Sequence, residues 1–68
     1  MGKKQLEILR YIAGHPFSSD REISVGLGMP INCVCGRRNE ILRFGFIEEK
    51  GKKFDETTKR DVIVWGLI

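Results

Sequence analysis

Residues 19–45 read SDREISVGLGMPINCVCGRRNEILRFG, and that stretch spells two helices joined by a short break. Ser19 followed three residues later by Glu22 predicts a capping box. The serine oxygen would accept the Glu22 backbone N–H, and the Glu22 carboxylate would reach back to the Ser19 N–H. The helix that begins there is short, because Gly26, Gly28 and Pro30 leave room for about two turns, with Ile23 and Leu27 facing inward. From Ile31 another helix carries Val34, Ile41 and Leu42 on one side and runs to Gly45, which suits a left-handed C-terminal position. Two helices across a short glycine-containing turn make a helix-turn-helix candidate.

Upstream, residues 3–13 place Leu6, Leu9 and Ala13 at helical spacing, and Ile8 and Ile12 widen the stripe, so a helix with a broad buried face is expected. Gly14, His15 and Pro16 stop it, and Phe17 is expected in the core. Downstream, residues 46–50 can be extended, and Val62-Ile63-Val64-Trp65 is a β-branched and aromatic run of strand character. The pair predicts a hairpin, with residues 51–60 as a long exposed loop. Alternation on the last strand assigns Ile63, Trp65 and Leu67 to the core. The fold class expected is mainly α with a small β-hairpin (α+β), a winged helix-turn-helix of three helices and a C-terminal two- or three-stranded antiparallel sheet.

Sixty-eight residues suit one domain, 1–68, because so short a chain buries only about 60% of its unfolded surface and cannot divide that between two cores. A hydrophobic fraction of 41% with 31% charged residues is ordinary for a globular protein. No apolar run approaches the ~18 residues of a membrane span, so no membrane partner and a cytoplasmic location are expected. Leu6 stands where a myristoylation motif needs Ser or Thr. Cys33 and Cys35 fall two apart on a helix, about 200° of rotation from one another, and cannot bridge within the chain. With only His15 as a third nitrogen or sulfur ligand, no metal site is expected. No nucleophile–base pair, paired carboxylates in a credible pocket or phosphate-binding glycine motif is present, so neither an enzyme, a cofactor nor a small-molecule substrate is expected. His15 reads as a helix-end residue, and Ser18 and Ser19 are explained by capping.

Three pieces of the chain, SDREI at 19–23, GRRNEILRFGFI at 36–47 and TTKRDVIVW at 57–65, resemble small winged-helix DNA-binding proteins common in bacteriophage and prophage genomes. Those relatives run Arg-x-x-Glu-Leu-x-x-x-Gly-Leu-Ile and then Thr-Gly-Arg-x-Val-x-Val-Trp. This chain departs at Ile41, at Phe46 and at Lys59, where the wing usually has Gly. The last departure implies a tip less able to take a positive φ. The resemblance implies double-stranded DNA as partner, bound by the helix at 31–44 in the major groove and by the wing at 50–60 on the backbone or minor groove. It also implies a role in transcription regulation, with a protein-interaction module of replication or another phage process as the alternative.

The charge, +3 with a pI near 9.1, suits phosphate contact. About 100° per residue puts Asn32, Cys33, Gly36, Asn39, Glu40 and Arg43 on the outward side of the third helix. Asn32 and Asn39 can pair bidentately with adenine, and Arg43 with guanine or a phosphate. Arg37, at the edge of that face, suits a phosphate. Arg38 falls near the inward side, its stem expected on the core and its guanidinium on a carboxylate or carbonyl. Glu40 would repel phosphate and is expected to find an intramolecular partner. Lys52, Lys53 and Arg60 are the wing's candidates for phosphate or minor-groove contact. Phe54 either meets a partner or tucks against the hairpin. Specific affinity commonly comes from two half-sites, which makes a homodimer plausible.

Overall fold

The computed structural model describes residues 1–68. Helix α1 (Lys3–Gly14) leads to a two-residue strand β1 (Ser18–Ser19), helices α2 (Asp20–Leu27) and α3 (Ile31–Phe44), and a hairpin of β2 (Ile47–Asp55) and β3 (Arg60–Leu67). The sheet is antiparallel in the order β1-β3-β2. This is the winged helix-turn-helix architecture, and no helix is long and apolar enough to cross a membrane.

The helix ends form where the side-chain chemistry requires. Ser19 Oγ accepts the Glu22 N–H at 3.2 Å, and Glu22 Oε1 accepts the Ser19 N–H at 2.9 Å, which completes the capping box. Gly28 and Gly45 end α2 and α3 in the left-handed region. Gly26 lies inside the last turn of α2, which spans about two turns as expected. A Cβ there would sit 2.4 Å from the Tyr11 ring, so the Tyr11 side chain of α1 lies over Gly26 in space that any other residue would take up.

The core joins Ile8 and Ile12 of α1, Ile23 of α2, Met29, Val34 and Ile41 of α3, Ile47 of β2 and Trp65 of β3. The α1 stripe is therefore centred on Ile8 and Ile12, and Leu6 is exposed. At roughly 25 cal/mol per Å² of apolar surface removed from water, these few side chains supply most of the drive to fold.

Four expectations are corrected. Phe17 is 56% exposed. Its φ of 65° turns the chain from α1 into β1 while its N–H bonds the Trp65 carbonyl at 3.0 Å, and that conformation sends the ring to solvent. Ile63 and Leu67 are also exposed, at 36% and 44%. Ile63 lies on the wing side of the Ser18↔Trp65 pairing with β1, whereas Leu67, although its cross-strand partner Ile47 is buried in the core, is itself left exposed at the end of β3. The expected long loop at 51–60 is instead mostly strand: pairing continues outward to Asp55↔Arg60. Lys50 is the extra residue of a β-bulge, between the pairs Glu49↔Trp65 and Gly51↔Val64. At the tip, Asp55 accepts the Thr57 N–H on Oδ1 and the Lys59 N–H on its carbonyl, both at 2.8 Å. These bonds hold Lys59 at a φ of 59°, so the tip takes the positive φ without the glycine.

Trp65 is 5% exposed. Trp65→Ala is expected to destabilise the fold by about 3–5 kcal/mol, as truncation of large buried aromatics does. Urea unfolding measures the loss. Native tryptophan fluorescence that iodide quenches as freely as in the unfolded chain would refute the burial.

Candidate nucleic-acid interface

The inward side of α3 is set by Val34 and Ile41, both fully buried. Opposite them, Asn32, Gly36, Asn39 and Arg43 are all exposed. Spacings of four, three and four residues stack them along one stripe of the helix. The stripe therefore offers two carboxamides, one guanidinium and one gap. Around Gly36 nothing lies within 4 Å of where a Cβ would be, so the gap opens to solvent rather than to a packed neighbour.

Two other helix candidates make contacts within the protein. Cys33, expected on the outward side, packs against the apolar cluster. Helices α1 and α2 flank α3 on two sides, which widens its buried face beyond the Val34–Ile41 line and leaves Cys33 only partly exposed. Arg37 Nε lies 2.8 Å from Glu40 Oε1, an ion-pair contact outside hydrogen-bond geometry. Glu40 Oε1 also accepts the Gln5 side-chain amide at 2.7 Å, tying α3 to α1 and giving Glu40 its intramolecular partner.

Arg38 is the joint between the helices. Its Nε and Nη2 donate to the two carboxylate oxygens of Asp20 at 2.9 and 2.8 Å, and its guanidinium carbon lies 4.3 Å from the centre of the Trp65 ring. The pair is largely covered, with 15% and 21% of the two side chains exposed. Asp20 holds the guanidinium's pKa above its already high ordinary value, against the opposing effect of burial. Cys35 donates its thiol to Asp20 Oδ2 at 3.4 Å. Burial, and then the Asp20 charge, push that thiol above its ordinary 9.0. Sequence reasoning anticipated that Arg38 would find a carboxylate but did not identify Asp20, because the pair spans 18 residues.

On the wing, strand alternation sends Lys52 and Lys53 to opposite faces. Lys52 pairs across the strands with Ile63, and Lys53 with Val62. Lys53 Nζ meets the Glu22 carboxylate of α2 at 2.7 Å, whereas Lys52, Arg60 and Arg43 make no ion pair. Burial tends to raise the Glu22 pKa, but the Lys53 ammonium and the Ser19 N–H and hydroxyl together hold it below the ordinary 4.5. Phe54 stays exposed and lines an open groove with Tyr11, Val25 and Val62.

No family model matches the chain, and no curated protein matches it in sequence. Solved structures do match its shape. Streptococcus pneumoniae FabT in complex with DNA superposes with a TM-score of 0.76 at 22% identity, over 100% of this chain and 45% of that one. MarR and a point mutant of S. aureus MepR each give 0.76 at 18% identity over 100% of this chain, covering 47% and 48% of theirs. The chain thus spans about half the length of the solved structures it matches. At these identities the likeness is one of fold.

Arg38→Lys is expected to cost about 1–3 kcal/mol in urea unfolding, because an ammonium can neither span two carboxylate oxygens nor stack flat on Trp65; an unchanged midpoint would show that the joint is dispensable. The raised thiol pKa leaves Cys35 with less thiolate at pH 8 than an ordinary cysteine. In a Cys33→Ser background, alkylation of Cys35 by iodoacetamide should therefore be slower than that of free cysteine, as read by mass spectrometry.

Proposed function

We propose that this domain binds double-stranded DNA sequence-specifically and acts as a transcription regulator, with α3 in the major groove and the wing on the backbone or minor groove. The observation that carries the reading is the exposed stripe Asn32, Gly36, Asn39 and Arg43, opposite the buried side of the second helix of a helix-turn-helix. Carboxamides and a guanidinium are the side chains that read base edges bidentately. Gly36 lets backbone come close to a base pair where any Cβ would hold it off. Arg37, half exposed and only loosely paired, suits a phosphate at the edge of the stripe. Lys52 and Arg60, free of ion pairs, are assigned to phosphate.

The solved FabT structure contains DNA, which supports the same use of this fold here. Assignment to regulators of the phage or prophage type rests on the likeness of residues 36–47 and 57–65. A domain whose longest dimension is 33 Å covers little more than one half-site, so binding as a homodimer to two half-sites about 34–36 Å apart follows from the proposal. A protein-interaction role is the second reading, favoured by the exposed pair Phe44 and Phe46, whose rings meet edge-on at 6.4 Å.

Base reading and phosphate neutralisation leave different marks. Asn39→Ala should lower affinity for a selected site by about 1–3 kcal/mol while leaving random duplexes nearly unaffected. Lys52→Ala or Arg60→Ala should weaken all duplexes alike and flatten the slope of log K against log salt by about one. Gly36→Ala separates binding from folding. It should stabilise the fold by about 1 kcal/mol, since alanine favours a helix interior, yet weaken specific binding. Gel shifts with selected and random duplexes, beside urea unfolding, check all three. If Asn39→Ala, Arg43→Ala and Gly36→Ala are silent on DNA, the protein-interaction reading takes over.

A further inference from the structure

Beyond the hairpin's bulge, the wing has one side-chain tie to the helical body, the contact between Lys53 and Glu22. Lys52, Lys59 and Arg60 are exposed and make no such contact. We propose that Glu22 is a positioning residue for the wing, holding Lys53 against the start of α2 so that Lys52 and Arg60, and not Lys53, meet the phosphate backbone.

This inference rests on the DNA-binding reading and deepens it. The Glu22 carboxylate is anchored before Lys53 arrives, because Oε1 already accepts the Ser19 N–H at 2.9 Å and the Glu22 N–H is held by Ser19 Oγ. An ion pair between two loose surface chains gains little, since both must be ordered to make it. Here one partner is fixed by helix capping, so only the lysine loses freedom. The two residues lie 31 apart in sequence, so the contact closes the wing onto α2 rather than stiffening either element. Alternation does the rest: with Lys53 turned toward α2, its neighbour Lys52 is turned to the opposite face, which carries Ile63 and, further along β3, Trp65. The wing therefore has a cation on each face, and Glu22 neutralises one of them.

The test is fluorescence anisotropy with a random duplex of about 20 base pairs, titrated between about 50 and 200 mM salt. Glu22→Gln keeps an oxygen for the Ser19 N–H but loses the charge that holds Lys53. It should steepen the slope of log K against log salt by about 0.9, the mark of one added phosphate contact. Over that fourfold change in salt, the variant should lose about threefold more affinity than the wild type. In a Lys53→Ala background the same substitution should leave the slope unchanged, which separates release of Lys53 from the general effect of removing an acid. The wild-type slope itself should survive Lys53→Ala.

If Lys53→Ala flattens the wild-type slope by about 0.9 and Glu22→Gln does not steepen it, Lys53 already sits on phosphate and the proposal is overturned. A second readout needs no DNA: carboxyl NMR of Glu22 should show its titration midpoint rising in Lys53→Ala, and an unmoved midpoint would deny the tie. Absence of binding by every variant at about 50 mM salt would defeat the DNA reading as a whole, whereas binding with equal slopes throughout would defeat this inference alone.

Discussion

One bidentate contact, Arg38 to Asp20, laid over the ring of Trp65, ties the two helices of the helix-turn-helix to the central strand of the sheet. Each partner belongs to a different element. Asp20 opens α2, Arg38 lies mid-way along α3, and Trp65 comes from the central strand, which also takes the Phe17 N–H on its carbonyl. A guanidinium can serve all three at once because it is flat and carries parallel donors. A hydrophobic residue in its place could cover the indole but would leave the Asp20 carboxylate without its two donors in a largely covered site. The contact thus adds a directional polar joint to layers that the apolar core, with eight buried side chains, already packs together.

What the sequence made legible were features whose cause is local. The Ser19–Glu22 box, the glycine ends of α2 and α3 and the Val34–Ile41 line all follow from bonds or spacings within a few residues, and each is found as expected. The misreadings concern how far one element covers another. Ile63 and Leu67 have the alternation of core residues, yet both are exposed, Ile63 out toward the wing and Leu67 at the end of β3 beside the buried Ile47. Cys33 lies off the buried line by simple rotation, yet packing against the apolar cluster leaves it only partly exposed. Phe17 is apolar, but its backbone conformation at the turn decides where its ring points. The wing reads as loop because Gly, Lys, Asp and Glu are poor strand formers, whereas antiparallel pairing with β3 needs only their backbone groups.

The same limit applies to the candidate site. The stripe of Asn32, Asn39 and Arg43 was legible because it is the complement of a buried line on a single helix. The division of the wing's cations was not, because it depends on Glu22, 31 residues away from Lys53. Residue types give the chemistry available to a site, and long-range packing decides which of those groups remain free to use it.

That distinction alters the meaning of the modest net charge of +3. Glu22, Asp20, Glu40 and Glu48 each have a basic partner within the fold, and those four pairs cancel charge locally. The cations left without a partner include Arg43 on the α3 stripe and Lys52 and Arg60 on the wing. A polyanion with a charge every 1.7 Å or so along its axis responds to such local fields, which water and salt screen beyond about 10 Å, and not to the sum over the molecule. Acidic residues that are spent on internal pairs do not repel a ligand as free ones would. The four pairs remove one cation with each acid and leave the net charge unchanged, so what they alter is position: Arg43 stands on α3 with its nearest acid on that helix, Glu40, engaged elsewhere, whereas Lys52, Lys59 and Arg60 stand on a wing that also carries the unpaired Glu49, Asp55, Glu56 and Asp61.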